Sequence, residues 1–284
     1  MDSKTISFAI FWPLSNFATY LIVSVCVEDA MYWEKMTSAR IEEVERSTPV
    51  ILNLAAIEQH GPHLPVDTDV VIGSHLLSKL DEYDPGGQLI LPTVKVGCSA
   101  HHLDFCGTLS VPHRVMMEYV TSILNSVCGA GFRNILLFNS HGGNQAIGQV
   151  ILEDFGAAHP ECRIALVTWW TLARDALAEV SETGQFGTGH ACEFETSLMM
   201  AAGAVAPSID LPAGEFFVKS YAWADGSMLY KSGGTLYRSM HSISGGSGVV
   251  GQPDAASVEQ GNKITEEVVR RLKAVVEDLG QVAP

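Results

Sequence analysis

Basic side chains are scarce in this sequence. Its 17 lysines and arginines face 32 aspartates and glutamates, a formal net charge of −15 over 284 residues. With no basic face to neutralise phosphates, nucleic acid and anionic membranes are poor partners, and a small-molecule ligand fits better. Charged residues of either sign make up only 17% of the chain against 47% apolar, which excludes disorder as the main state and is enough to build one large α/β domain. Short paired cysteine spacings are also missing. The six cysteines (Cys26, Cys98, Cys106, Cys128, Cys162 and Cys192) are scattered, which argues against a small disulfide scaffold and for free thiols in a cytoplasmic protein. Repeats and interdomain linkers are absent.

One stretch stands apart. Ile6 to Val27 carries no charged residue, yet Pro13 and Asn16 interrupt it and no clear small-x-small cleavage site precedes Glu28. Residues 1–30 are therefore expected to be an N-terminal extension or targeting segment, and residues 31–284 the folded domain. The chain would be exported or membrane-tethered only if that segment is a genuine signal.

From Met31 onward, apolar runs of strand length alternate with helical spacing. Pro49 to Ala56, Gln88 to Val96, Asn134 to Asn139 and Arg163 to Trp169 read as strands. Thr68 to Leu80, Val111 to Cys128 with Pro112 in its first turn, Gln145 to Ala158, Cys192 to Ala202 and Asp254 to Leu279 read as helices. This order predicts a mostly parallel sheet with helices on both faces. Gly233 to Gly251 is the one long irregular segment, a place where function is often found.

Three segments concentrate chemistry. The first, Glu58 to Asp69, follows a strand directly, where open parallel sheets place ligands. Glu58 and His60 point to one side of an extended chain, and Asp69 at the next helix start can return to meet them across the turn made by Gly61, Pro62 and Pro65. Carboxylates mixed with imidazole favour zinc, manganese or iron over calcium. The second, Asn139 to Asn144, puts His141 at the sheet edge, with Gly142 and Gly143 allowing close backbone approach to a ligand. In the third, Gly189 to Ser197, Glu193 and Glu195 lie about 200° apart on a helix, so at most one faces the site, and Glu195 is the expected ligand.

Together the segments resemble the creatininase family of metal-dependent amidohydrolases. Its patterns E-Q-H-G-P-H-L-P followed by D, then N-G-H-G-G-N, then H-A-G-x-x-E-T-S, stand here as Glu58 to Asp69, Asn139 to Asn144 and His190 to Ser197, with Ser140 and Cys192 in place of glycines. Similarity extends to Gly245 through Pro253, and so covers roughly Met31 to Leu279.

The resemblance implies a three-layer α/β/α sandwich, two divalent ions per subunit and a homo-oligomer, usually a hexamer. Asp69 would bridge the ions, Glu58 and His141 would hold one, and His60 the other. Creatininase proper has a glutamate two residues after the second-segment histidine. This chain has Gly143 there, which points away from creatinine and leaves Glu195 to complete the second site.

The expected reaction is attack on a carbonyl of a small cyclic amide, formamide or related C–N substrate, with His190 as proton shuttle. Ring opening of an inosose-type cyclic polyol ketone, or metal-dependent isomerisation, are the alternatives. His63, Gly142, Gly143, Asn144 and Trp170 are expected to bind substrate. His101 or His102 would line the pocket, Trp169 and Trp223 would extend an aromatic wall, and Lys219, Lys231 and Arg238 are the late cations that could meet an anionic group. Cys192, beside the site, is expected to confer oxidant sensitivity.

Overall fold

The computed structural model describes residues 31–214, 221, 223–224, 227–230 and 233–281. Residues 1–30, expected to be an extension or targeting segment, and Lys219 and Lys231 lie outside these. In chain order the elements are α1 (Ser38–Glu43), β1 (Val50–Leu54), α2 (Thr68–Tyr83), β2 (Leu89–Ile90), α3 (His113–Gly129), β3 (Asn134–Asn139), α4 (Gln145–Ala158), β4 (Arg163–Thr168), α5 (Trp169–Leu172), α6 (Arg174–Val180), α7 (Glu193–Ala201), α8 (Met240–Ile243) and α9 (Val258–Gln281).

The strands form one parallel sheet in the order β2-β1-β3-β4. Strand periodicity sends alternate side chains to opposite faces, and both faces are apolar here. Ile51, Leu136 and Phe138 pack beneath α2, α7 and α9, where Leu76, Leu198 and Val268 join them. Val50, Leu52, Ile135 and Leu137 pack on the other side against Val120 and Leu124 of α3 and Ile151 of α4. The expected three-layer sandwich is thus the observed one.

Several expected boundaries move, each for a local reason. The strand expected over Gln88 to Val96 shrinks to Leu89–Ile90 because Pro92 offers no amide to the ladder. The helix expected from Val111 begins at His113, with Pro112 at its N-cap rather than within its first turn. The last helix begins at Val258, not Asp254. Pro253–Ala255 forms a separate 3-10 turn, and Ser257 Oγ accepts from Gln260 N at 3.1 Å, capping α9. The fourth strand stops at Thr168, so Trp169 opens α5. Among the described residues, no helix is long and apolar enough to cross a membrane.

Candidate metal centre

The loops leaving the carboxyl ends of β1 and β3, together with the start of α7, converge on one buried cluster. Glu58, Asp69 and His141 are each 2% exposed, His60 is fully buried and Glu195 is 4% exposed. Asp69 is central: its Oδ1 lies 3.4 Å from His60 Nε2 and its Oδ2 3.0 Å from His141 Nδ1. Glu58 Oε1 is 3.3 Å from His141 Nδ1, and Glu195 Oε1 is 3.9 Å from His60 Nε2.

The second nitrogen of each histidine fixes which nitrogen faces the cluster. His60 Nδ1 donates to the carbonyl of Glu58 at 3.1 Å, leaving the Nε2 lone pair free. His141 Nε2 donates to the carbonyl of Cys98 at 3.2 Å, with Ser99 Oγ at 3.1 Å, leaving Nδ1 free. Asn139 steadies this loop, its Nδ2 donating to His141 O at 2.8 Å and to Thr168 Oγ1 at 3.1 Å. Glu195 accepts from the amide of Ala191, which reaches it from a left-handed conformation at φ 51°. Glu193 faces away, taken up by Ser181 Oγ, the amide of Glu182 and Gln260 Nε2. Of the two glutamates only Glu195 enters the cluster.

The electrostatics are those of a cation site. Burial opposes the charge on Asp69, but His60 and His141 hold its carboxyl well below the ordinary range. Burial would lower His60, yet the charge of Asp69 lifts it to about 9. His141 is raised against burial by Glu58 and Asp69. Glu195 is pushed up to about 7 by burial, which His60 only partly offsets. Glu58 Oε2, His60 Nε2 and Asp69 Oδ2 are buried without a hydrogen-bond partner. Two buried carboxylates and an imidazole with orphaned ligand atoms of this kind fit divalent metal and are costly without it. Candidate ligand groups include Glu58 with His60 and Asp69, and His60 with His190 and Glu195.

Gly143 shows why no carboxylate comes from the second segment. A Cβ there would stand 2.1 Å from the Cys98 carbonyl and 2.5 Å from His141 Nε2, so the volume where such a side chain would start is already filled.

His190 borders the cluster with Nδ1 3.8 Å from Glu58 Oε1, while its Nε2 donates to the carbonyl of Gln59 at 2.8 Å. Val250 pairs with its backbone in both directions at 2.8 Å, so the glycine-rich segment is zipped onto this histidine. Burial first, then the charge on His60, push the imidazole down to about 3.

A cavity of about 630 Å³ opens onto the cluster. Trp170, Gly142 and Gly143 line it as expected, and so do His101, His102 and Arg238. His63 and Asn144 do not. His63 Nε2 is spent on Thr196 Oγ1 at 3.0 Å, and Asn144 ties the amide of Cys98 to the carbonyl of Ala55. The aromatic wall reduces to Trp170, because Trp169 is turned into the core and Trp223 stacks on Tyr221 outside the cavity. Oxidant sensitivity at Cys192 is also corrected: the residue is fully buried, and burial pushes its thiol up to about 12.

His102 comes closer to the cluster than a pocket-lining role requires, and Gln59, not singled out from the sequence, is drawn in with it. His102 Nε2 lies 3.5 Å from Glu58 Oε2, and its Nδ1 accepts from Gln59 Nε2 at 3.0 Å. Gln59 Oε1 accepts from Gly61 N at 2.9 Å, so this one side chain braces His102 and the turn and touches His190 at 3.1 Å. Its signal was its place inside the first motif.

The sequence profile described as creatinine amidohydrolase matches residues 34–276. The chain belongs to the creatininase family. Among creatininase-family relatives, 3-dehydro-scyllo-inosose hydrolase of Thermotoga maritima is 23% identical over 89% of this chain and 85% of its own length. A mycofactocin precursor peptide peptidase of Mycobacterium tuberculosis is 32% identical over 39% of this chain and 47% of its own. Creatinine amidohydrolase of Pseudomonas putida is 25% identical over 54% of this chain and 63% of its own. Among solved structures, one from Bacteroides fragilis named for creatinine amidohydrolase superposes with TM-score 0.74 at 22% identity, covering 89% of this chain and 98% of that one. A manganese creatininase superposes with TM-score 0.72 at 20% identity, covering 89% and 100%. These two superpositions support the fold.

Proposed function

We propose that this creatininase-family metal-dependent hydrolase works with two divalent ions per subunit, held by Glu58, Asp69 and His141 on one side and by His60, Asp69 and Glu195 on the other. The observation that carries the reading is Asp69 itself, whose two oxygens face two different histidines at 3.4 and 3.0 Å. When bound, such ions supply Lewis acidity and lower the pKa of a water toward neutrality.

The chain's own groups do the rest. Glu58 and Asp69 keep the floor anionic, and the carbonyls of Glu58 and Cys98 hold the two imidazoles in their ligating tautomers. His190 accepts a proton at Nδ1 and returns it to the leaving atom of the substrate, its ring fixed by the Gln59 carbonyl. The second cause of its lowered pKa, the charge on His60, falls away when His60 is a neutral ligand. Gly142 and Gly143 line the cavity beside His141, where their backbone can approach the substrate closely.

The substrate in this reading is a small carbonyl compound, a cyclic amide or formamide. An oxidised cyclic polyol is the second reading, favoured by the near full-length match to the inosose hydrolase and by a wall that carries Ser227, Tyr230, Thr235 and Tyr237. A homo-hexamer in the cytoplasm belongs to the same proposal.

The test is metal content by mass spectrometry, wild type against Asp69→Asn, followed by product mass for candidate substrates. Near two divalent ions per chain, lost together in the variant, and a product heavier by one water are expected. One ion or none, unchanged by the substitution, would overturn the two-ion reading, and an unchanged product mass would replace hydrolysis with isomerisation.

A further inference from the structure

At the edge of the sheet opposite the metal centre, two sulfur atoms meet. Cys128 lies in the last turn of α3, and Cys162 in the turn before β4, 34 residues further along. Their Sγ atoms are 2.9 Å apart. That is closer than two sulfurs rest without a bond between them, and only about 1 Å beyond a disulfide of roughly 2.05 Å.

Both backbones are pinned around the pair. Arg133 NH1 donates to the carbonyls of Cys128 at 2.6 Å and Phe132 at 2.9 Å. On the other side, Cys162 N donates to His159 O at 2.9 Å and Arg163 N to Arg133 O at 2.7 Å. The two cysteines share one apolar cluster with Phe132 and Phe155. Among the described cysteines, Cys98, Cys106 and Cys192 make no such sulfur contact.

We propose that Cys128 and Cys162 are an oxidative modification site, closing to an intrachain disulfide by exchange with a low-molecular-weight disulfide. Unlike the fully enclosed Cys192, the two sulfurs keep some exposure, 9% at Cys128 and 8% at Cys162. Burial and then the Cys128 sulfur push the Cys162 thiol up to about 12, so the Cys128 thiolate attacks the small disulfide first and displaces its first thiolate. The other protein thiolate then attacks the mixed disulfide and displaces the second. Two protein thiols are oxidised to one disulfide, and one small disulfide is reduced to two thiols.

The bond clasps the α3 layer to the edge strand β4. The far ends of both elements reach the cavity, α3 at His113 and β4 through Thr168 to Trp170, so the clasp stiffens the cavity wall without touching a metal ligand. The inference is independent of the hydrolase reading.

To test it, the full chain is reduced, incubated natively with oxidised glutathione, quenched in acid, alkylated in denaturant and mapped without reduction. A peptide pair joining Cys128 to Cys162 is expected, with Cys98, Cys106 and Cys192 alkylated and a Tm roughly 5–10 °C above that of the reduced chain. Full alkylation of both cysteines, a lasting glutathione adduct on either, or a bridge from either to Cys26 would overturn the proposal. Cys128→Ser and Cys162→Ser should each abolish the oxidant-dependent rise in Tm, and an undiminished rise in either would also overturn it. Where a variant fails to fold, the wild-type map decides alone.

Discussion

At the floor of the cavity, Glu58, His60, Asp69 and His141 are 0–2% exposed, and each imidazole is tied through its second nitrogen to a backbone carbonyl. At the wall, Leu236 is 39% exposed, Tyr230 43% and Tyr237 75%. The floor grows from turns that directly follow buried parallel strands, so close packing on both faces of the sheet holds its geometry. These wall residues come from the segment between α7 and α9, where the regular structure described is the single turn of α8 and the 3-10 turn Pro253–Ala255. Such a division lets one reaction centre serve different substrates, in keeping with relatives named for an inosose, a precursor peptide and creatinine.

If that division is real, damage should scale with depth. Asp69→Asn leaves the volume intact but removes the charge shared between His60 and His141. Activity should fall by at least about 10³-fold with loss of bound metal. A variant that keeps both metal and activity would move the reaction centre elsewhere.

Gln59 comes next, because it holds ligand neighbours rather than reacting atoms. Gln59→Leu frees His102 and the Gly61 turn and should cost about 10–100-fold in metal affinity or kcat, with the fold kept by circular dichroism. Since its carbonyl still holds His190, the pH profile set by that residue should keep its shape. A collapse of the profile would give Gln59 a role in the proton transfer itself.

A smaller effect separates the ion-free floor from the loaded one. In chelator-treated protein, His60 titrates near 9 rather than 6.5, lifted by Asp69 against burial. A folded-state pKa raised above the unfolded value contributes stability that is fully present below about 6.5 and lost as pH rises through about 9. Thermal melts of chelated protein should therefore drop by a few degrees across that window. Loaded protein, with His60 Nε2 carrying no proton, should not show the drop, and parallel profiles for the two forms would mean that His60 is not a ligand.

The floor was legible in the sequence because its ligands sit in three contiguous motifs, two of them directly after strands whose unbroken apolar runs Ile51-Leu52 and Ile135-Leu136-Leu137-Phe138 are hard to misread. The helical period of Leu76, Leu77 and Leu80 placed Asp69 at a helix start in the same way. What was not legible is which polar residue is used for what. His63 and Asn144 stand inside the motifs, yet their hydrogen bonds go to Thr196 and to the backbone at Cys98 and Ala55. His102 lies on a one-turn 3-10 helix with no periodicity to announce it, and it touches Glu58 only through the fold. The meeting of Cys128 and Cys162, 34 residues apart, depends on how α3 is laid against the sheet, which no local pattern encodes.

The smallest expected effect belongs to the wall. Tyr237 lines the cavity with most of its surface in solvent, so its hydroxyl gives up little hydration to meet a substrate, and one such hydrogen bond contributes about 0.5–1.5 kcal/mol. Tyr237→Phe should raise KM roughly 2- to 10-fold for the true substrate, leave kcat within about 2-fold and leave the metal content untouched. Across a substrate panel, the compound whose KM rises most is the one whose polar group faces this wall, so the variant also serves to rank cyclic amides against polyol ketones. A fall of 100-fold or more in kcat would place Tyr237 in the chemistry, and the separation of floor from wall would then have to be redrawn along the 233–251 segment.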